Sequence, residues 1–278
     1  MHADLPGVGE NLHEHPSISV SAFLRPGQRQ PAGAHYHLPA LLRWSSGVEG
    51  EPTGNMHAAI VARSGWHAIG QRIGSLFVWV NHTRSTGSVQ LGARSGDGRA
   101  GGGFPPALRP ADMVRLKQGF QLAARALCHP GLAGLVSEVF PSTYAAKVRR
   151  YLHPTVRNGL LMGLVGPAMD LSGTMRRAVL RAAIESQVGA AALASDDTLL
   201  EEHLRRHVGG VWHPSGTCRT GAAQDRMAVV TPDARLRGVG GLRVCDGSIM
   251  PRIPFANTNV PSLMIAEKVA DNIRQNIR

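Results

Sequence analysis

The order of the sequence patterns predicts an α+β fold with a mixed or antiparallel sheet. Alternating apolar and polar residues, typical of strands, dominate the first third of the chain, and patterns with a helical period follow them. A short strand and one helix close the chain. A doubly wound fold would instead alternate strands and helices throughout. We therefore expect one sheet flanked by helices, together with a separate C-terminal strand and helix.

The composition indicates a globular protein whose basic charge needs no special partner. Of 278 residues, 43% are hydrophobic and 18% are charged, which excludes a disordered chain. The 30 Lys and Arg against 19 Asp and Glu give a formal charge of +11, and only Lys117, Lys147 and Lys268 are lysines. Because the arginines are scattered, a GC-rich codon usage explains them better than a nucleic-acid site does.

No membrane segment, secretory signal or disulfide framework is expected. No apolar run reaches the length of a membrane span, and residues 1–6 lack a basic start followed by an apolar stretch. The three cysteines, Cys128, Cys218 and Cys245, are too few and too scattered for a disulfide scaffold or a zinc ribbon. A cytoplasmic location fits these features.

Four segments alternate as strands do: residues 18–22, 56–62, 76–82 and 88–91. In the first of them Ile18, Val20 and Ala22 alternate with serines, which is the period of a half-buried strand. Residues 95–103 are rich in Gly and Arg and are expected to form a loop.

Helices are expected at 110–127, 175–184 and 195–208. In the first, apolar residues recur at helical steps until His129-Pro130-Gly131 ends the run. The last begins at Ser195-Asp196-Asp197 and ends at Gly209-Gly210. Pro261 opens a final helix, and its expected buried side consists of Leu263, Ala266, Ala270, Ile273 and Ile277. Residues 242–244 are expected to form a short strand before it.

The thirteen histidines do not predict a metal site. Only His203 and His207 have the i, i+4 spacing that places two ligands on one helix face. The glutamate that follows the first histidine in a metalloprotease helix is missing, so we interpret the pair as a solvated helix face.

The most informative region is the loop around His213. This histidine precedes Pro214 in a turn of small residues, so its backbone is restricted and its imidazole can be aimed at a pocket. Asn257 and Asn259 lie in a turn that leads into the final helix, where backbone N–H groups favour negative charge. Simple helix capping is the alternative interpretation of both asparagines.

Three sequence blocks resemble the C-terminal half of the glucose–methanol–choline (GMC) oxidoreductases, which are FAD-dependent alcohol oxidases and dehydrogenases. The first block is DLPGVGENLHEHP at 4–16, similar to the segment by which the family leaves its FAD domain. The second is HPSGTCRTG at 213–221, similar to its catalytic-histidine motif. The third is LRVCDGSIMP at 242–251 with NTNVPSLMIAEKVAD at 257–271, similar to its terminal flavin-contacting motif.

The resemblance implies roles for individual residues. His213 would be the general base that accepts the alcohol proton while hydride passes to flavin N5, and Asn257 would hydrogen-bond the substrate oxygen. The residues implied to lie against FAD are Asp246, Gly247, Asn259, Val260 and Pro261.

Two short Gly-rich stretches resemble the start of a dinucleotide-binding loop, but neither continues as G-x-G-x-x-G between a strand and a helix. The Gly-rich stretches at 7–9 and 238–241 are interpreted as turns. The resemblance therefore implies a truncated chain without the N-terminal Rossmann unit, inactive on its own and partnered by the missing FAD-binding half and a small alcohol. Its expected parts are an exit segment from the FAD domain at 1–17, a substrate-binding domain at 18–210 and a C-terminal GMC segment at 211–278.

Two other classes stay open at this point. One is a non-catalytic relic or binding module that keeps the substrate fold, and the other is a basic nucleic-acid binder. Choline-like, aryl and aliphatic alcohols all remain possible substrates.

Overall fold

The computed structural model describes residues 3–31, 33–34, 36–91, 100–102 and 108–276. The chain forms two compact units. The first consists of Met1–Pro16, Val80–Asp112 and Gly209–Arg278, and the second of Ser17–Trp79 and Met113–Val208. The expected part 18–210 is thus not one continuous unit, because residues 80–112 group with the two ends of the chain. The functional assignment of each part stays a prediction.

The second unit is built on a five-stranded sheet with the order β2-β3-β4-β1-β7. Its strands are β1 (Ser17–Leu24), β2 (Ala40–Trp44), β3 (Met56–Val61), β4 (Ile73–Val80) and β7 (Val136–Pro141). The pairs β1–β4, β1–β7 and β2–β3 are antiparallel. Three predicted strands are confirmed, whereas β2 and β7 were not predicted. β2 carries exposed leucines at 41 and 42 and therefore lacks the expected alternation.

The prediction that β1 is half-buried is wrong. Both faces are covered, and Ser17 and Ser21 are as buried as Val20. Burial of the Ser21 hydroxyl is tolerated because its Oγ hydrogen-bonds Ser75 Oγ at 2.7 Å and also Ser142 Oγ.

Helix α1 (Pro110–Leu127) matches its prediction, with Met113, Leu116 and Phe120 buried. The glycine in the middle of α1 lies close to the sheet: a Cβ on Gly119 would be 2.5 Å from Val78 Cγ1. Four helices follow before the last helix of this unit: α2 (Arg149–Leu152), α3 (Val156–Leu171), α4 (Gly173–Ala183) and α5 (Ala190–Ser195). The prediction of a helix at 175–184 is confirmed by α4.

Helix α6 (Asp197–His207) is capped as its sequence predicts. Asp196 accepts hydrogen bonds from the N–H groups of Thr198 and Leu199. The interpretation of His203 and His207 as a solvated face is wrong for His203, which is buried with its ring 5.9 Å from that of Phe120. Helical spacing alone did not reveal that this face packs on α1. Among the described residues, no three His, Cys, Asp or Glu side chains gather as a metal site would require.

The first unit contains a small hairpin and a core of loops. β5 (Val89–Leu91) pairs antiparallel with β6 (Ala100–Gly102), which replaces part of the loop expected at 95–103, and residues 95–99 and 103 lie outside the described residues. The strand expected at 242–244 is wrong, because Arg243 forms only an isolated bridge with Arg235. The core of this unit consists of Val229, Val230, Ala234, Ile249 and Val269.

Helix α7 (Asn259–Asn276) begins two residues before the predicted Pro261. Its buried side was predicted wrongly: Ile265 and Val269 pack into the core, whereas Leu263 is 59% exposed and Ala266, Ala270 and Ile273 are also exposed. Ile277 lies outside the described residues. Because α7 carries apolar residues on two sides, the spacing of these residues could not show which side packs into the core. Within the described ranges, the helices are too short or too polar to cross a bilayer.

Candidate functional site

His213 lies in the loop that follows α6, and its imidazole is half-buried. The buried Nδ1 atom has no hydrogen-bond partner among the described residues. Burial lowers the pKa of His213 below its ordinary value of 6.5, because desolvation disfavours the imidazolium. The ring is therefore neutral near neutral pH and has a nitrogen available to accept a proton.

The backbone around His213 wraps one buried carboxylate. The N–H of His213 donates to Glu14 Oε2 at 2.7 Å, and the N–H of His15 donates to Glu14 Oε1 at 2.8 Å. The N–H groups of Val211 and Trp212 also bond this carboxylate. Trp212 has a φ of +62°, so the chain turns sharply here and successive N–H groups converge, as in backbone anion nests. Burial raises the pKa of Glu14, and the four N–H groups act in the opposite direction.

His15 connects the His213 loop to the turn that contains Asn257. Its ring is fully buried and stands edge-on to the His213 ring, with 5.4 Å between centroids and an angle of 87°. His15 Nδ1 lies 3.2 Å from the carbonyl oxygen of Val80, and Nε2 lies 3.4 Å from that of Ala256. Two contacts on opposite sides of one rigid ring thus fix its position.

The turn at 255–257 is held from a second side as well. The buried Asn81 side chain donates to the carbonyl oxygen of Phe255. Asn257 itself is exposed and directly follows Ala256. The His15 ring thus contacts both the His213 ring and the carbonyl group of the residue before Asn257.

Two of the residues predicted to contact the flavin lie beside the His213 loop. Asp246 accepts from the Ser248 N–H at 2.8 Å and caps a short 3₁₀ helix, Gly247–Ile249. The Gly247 carbonyl accepts from the Gly216 N–H at 3.2 Å. A Cβ on Gly247 would be 3.7 Å from Pro214 O and 3.6 Å from Ser262 Oγ, so this glycine lies between the His213 loop and α7.

The remaining predicted contacts lie at the start of α7. Asn259 is the first residue of the helix and not a cap preceding it, and both Asn259 and Val260 are exposed. Pro261 is partly buried. Leu263 and Met264 add further exposed apolar surface, at 59% and 65%. An exposed apolar patch next to polar loops suits a large planar ring system with a polar edge.

Sequence reasoning did not assign a role to Glu14, His15 or Asn81. The signal for the first two was the cluster His13-Glu14-His15-Pro16, which was interpreted only as an exit segment. The side-chain atoms His13 Nδ1, Asn81 Oδ1 and Ser215 Oγ are also buried without a partner among the described residues.

A separate cavity of about 530 Å³ lies in the second unit. It is lined by residues of α3 and α4 and by residues between 64 and 73 and between 144 and 152. Its lining is mostly apolar and includes Ile73, Tyr144, Met162, Val165 and Leu180. None of the predicted site residues lines it.

Known proteins match this chain over most of its length or over a shorter part of it. It is 36% identical to a 5-(hydroxymethyl)furfural oxidase of Methylovorus sp. (strain MP688) over 280 residues, covering 98% of this chain and 44% of that protein. An oxygen-dependent choline dehydrogenase of Brucella ovis is 48% identical over 89 residues, or 32% of this chain and 16% of that protein. The chain thus spans less than half of the relatives it matches.

Solved structures share the fold at low identity. A pyridoxine 4-oxidase from Mesorbium loti matches with a TM-score of 0.66 and 18% identity, over 98% of this chain and 44% of that one. A formate oxidase of Aspergillus oryzae RIB40 matches with a TM-score of 0.68 and 15% identity, over 99% of this chain and 48% of that one. The family model described as GMC oxidoreductase matches residues 83–266, more than half of the chain. The chain therefore belongs to the GMC oxidoreductase family.

Proposed function

We propose that this chain supplies the catalytic residues of an FAD-dependent oxidoreductase that acts on the CH–OH group of small alcohols. The observation that carries the proposal is the buried, unpartnered Nδ1 of a neutral His213, in a loop that adjoins both the Asn257 turn and the Gly247 segment. Membership of the GMC family supports the reaction class, and the 36% identity to a furfural oxidase supports a small alcohol as substrate.

In this mechanism His213 acts as the general base. Its neutral imidazole accepts the proton of the alcohol hydroxyl. A hydrogen on the carbon that bears this hydroxyl leaves with its electron pair as hydride, and a C=O bond forms. The Asn257 amide donates a hydrogen bond to the substrate oxygen and so orients the reacting carbon. A positioned base of this kind contributes about 10²- to 10⁴-fold in rate.

The residues at the start of α7 and around Asp246 fit a flavin. Asp246, Gly247, Asn259, Val260 and Pro261 would hold it: exposed apolar surface would cover the ring, and the helix N-terminus favours negative charge at its polar edge. When bound, FAD supplies the two-electron acceptor for the hydride.

FAD retention is proposed to need residues outside these 278. The chain covers 44% of the length of its furfural oxidase relative, so the segment that binds the FAD pyrophosphate is proposed to lie in the remaining part. We infer that residues 18–210 mainly form the substrate side and 211–278 the catalytic and flavin side, with 1–17 as the connecting segment. A cytoplasmic location is part of the same proposal.

The experiment uses a joined enzyme, in which the part of the Methylovorus furfural oxidase that this chain does not align with precedes the 278 residues. Under anaerobic conditions, 5-(hydroxymethyl)furfural, choline and an aliphatic alcohol are each added to the FAD-loaded enzyme. We expect at least one alcohol to bleach the flavin absorbance and yield an equimolar carbonyl product. Bound FAD that no alcohol reduces would support the alternative of a non-catalytic relic and contradict the proposal.

A further inference from the structure

The buried carboxylate of Glu14 is shared between two segments of the first unit. One oxygen accepts from the His15 N–H, and the other accepts from the His213 N–H. The Val211 and Trp212 N–H groups bond the same side chain. A carboxylate is the side chain suited to this place, because it has two acceptor oxygens and no donor.

Two backbone features keep space for this side chain. A Cβ on Gly210 would lie 2.6 Å from Glu14 Cγ and 2.8 Å from its Cδ, so a larger residue would push the carboxylate away. The positive φ of Trp212 turns the chain so that consecutive N–H groups face the same anion. The loop is therefore shaped around Glu14, although the Trp212 side chain itself is 83% exposed.

We propose that Glu14 is a positioning residue, which fixes the backbone at 211–213 and thereby aims the His213 imidazole at the substrate oxygen. It contacts neither substrate nor flavin and acts through His213, so the proposal rests on the proposed function of that residue. His15, anchored to the same carboxylate through its N–H, supports the His213 ring edge-on from its other side.

The first test needs no bound flavin. In the 278-residue chain, Glu14→Met keeps the side-chain volume and removes both strong acceptors. We expect the amide hydrogens of residues 211–213 to exchange about tenfold faster, as expected for a lost charge-assisted hydrogen bond. The core amides of Val229 and Val230 should keep their rates, and Glu10→Met in the same segment serves as the matched control. Unchanged exchange at 211–213 in a folded Glu14→Met chain would overturn the proposal.

The second test uses the milder Glu14→Gln variant. It tests the positioning role of Glu14 even if the methionine variant does not fold. Its amide offers an acceptor to one of the two segments only. In the FAD-loaded joined enzyme we expect kcat to fall about tenfold, with KM changed less than about threefold, since binding is retained and orientation is lost. In a His213→Ala background, Glu14→Gln should cause no further loss.

An equal loss from Glu14→Gln with and without His213 would contradict a role through that histidine. The outcomes also separate this inference from the proposed function. If His213→Ala leaves turnover unchanged, the proposed function fails, and the exchange rates at 211–213 still show whether Glu14 holds the loop. If His213→Ala is slow but Glu14→Gln is as fast as wild type, only the positioning role fails.

Discussion

At the scale of single residues, the proposed mechanism requires His213 to be neutral when the alcohol binds. Its half-buried ring loses hydration, and this desolvation penalises the charged form. The neighbouring His15 ring stands edge-on to it, with 5.4 Å between the ring centroids. Above its pKa the imidazole is neutral and can accept a proton, and below its pKa it is already protonated.

The pKa of His213 can be measured on the chain itself. An NMR titration of the imidazole protons should give a midpoint below 6.5, because burial disfavours the charged ring. In the FAD-loaded enzyme, kcat/KM should accordingly decline only on the acid side of that midpoint. A midpoint above 6.5 would mean that His213 is stabilised as a cation, which does not suit a base.

The residues of the site were predictable to different degrees. His213 and Asn257 stand in motifs that can be identified by their neighbours in sequence, such as Pro214 after the histidine. Glu14 could not be assigned in this way, because its contact with the His213 loop is to a backbone N–H group 199 positions away. Backbone donors leave no trace in the identity of the residues that carry them, so only the folded chain reveals such a contact.

At the scale of elements, the close approach of α1 to the sheet depends on Gly119. A glycine inside a helix costs up to about 1 kcal/mol relative to alanine. Its presence here is explained by the 2.5 Å and 3.1 Å distances from a hypothetical Cβ to Val78 Cγ1 and Met56 Cε.

We therefore expect Gly119→Ala to destabilise the chain despite the better helix propensity. The overpacking should lower the free energy of unfolding by about 1–3 kcal/mol. Denaturant titration measures this change, and Gly163→Ala in α3 is the matched control, because a Cβ at Gly163 meets nothing within 4 Å. A stability gain from Gly119→Ala would show that α1 lies farther from β3 and β4 than described.

The packing of α6 on α1 predicts a loss of stability in acid. Burial lowers the pKa of His203 from 6.5 to about 4, with a further contribution from the charge of His207, whose ring is 4.7 Å away. A lowered histidine pKa stabilises the fold above pH 6.5, and the stabilisation is lost as the pH falls towards 4. The full effect is at most about 3 kcal/mol.

Urea titrations between pH 7 and pH 4 measure this dependence. In the His203→Gln variant the decline in the free energy of unfolding should be clearly smaller than in the wild type. His153→Gln, which replaces an exposed histidine, should leave the decline unchanged. An identical pH dependence in all three chains would exclude His203 as its source.

Element boundaries illustrate what local patterns can and cannot determine. The limits of α1 and α6 followed from caps and breakers that act within a few residues, such as Asp196. The buried side of α7 did not, because Leu263 and Val269 are equally apolar and the choice between them is made by the distant core around Val230. The edge strand β2 was missed for a related reason: it is exposed, so no burial pattern marks it.

At the scale of the whole molecule, the chain spans less than half the length of the relatives it matches and folds into two compact units. The predicted α+β class and its antiparallel sheet agree with the structure. The division into two compact units could not be predicted, because each unit combines segments that are far apart in the sequence. Residues 80–112 belong to the first unit although 17–79 and 113–208 form the second. Only long-range contacts reveal such a division.

Cofactor retention distinguishes the chain alone from the joined enzyme. We expect the purified 278-residue chain to carry little flavin, because the proposed contacts to the flavin ring at α7 cover only one part of the cofactor and the chain spans 44% of its furfural oxidase relative. Gel filtration with added FAD, followed at 450 nm, compares the chain with the joined enzyme, which should elute with nearly stoichiometric flavin. Stoichiometric flavin on the chain alone would contradict the division of labour proposed here.

The measurement that tests the central claim most directly is the rate of flavin reduction in single-turnover, anaerobic stopped-flow experiments. The joined enzyme is compared with its His213→Ala variant and with His153→Ala, which replaces an exposed histidine. We expect His213→Ala to slow reduction by about 10²- to 10⁴-fold with FAD content unchanged, and His153→Ala to have no effect. Reduction within about threefold of wild type in an FAD-loaded His213→Ala enzyme would contradict the central claim.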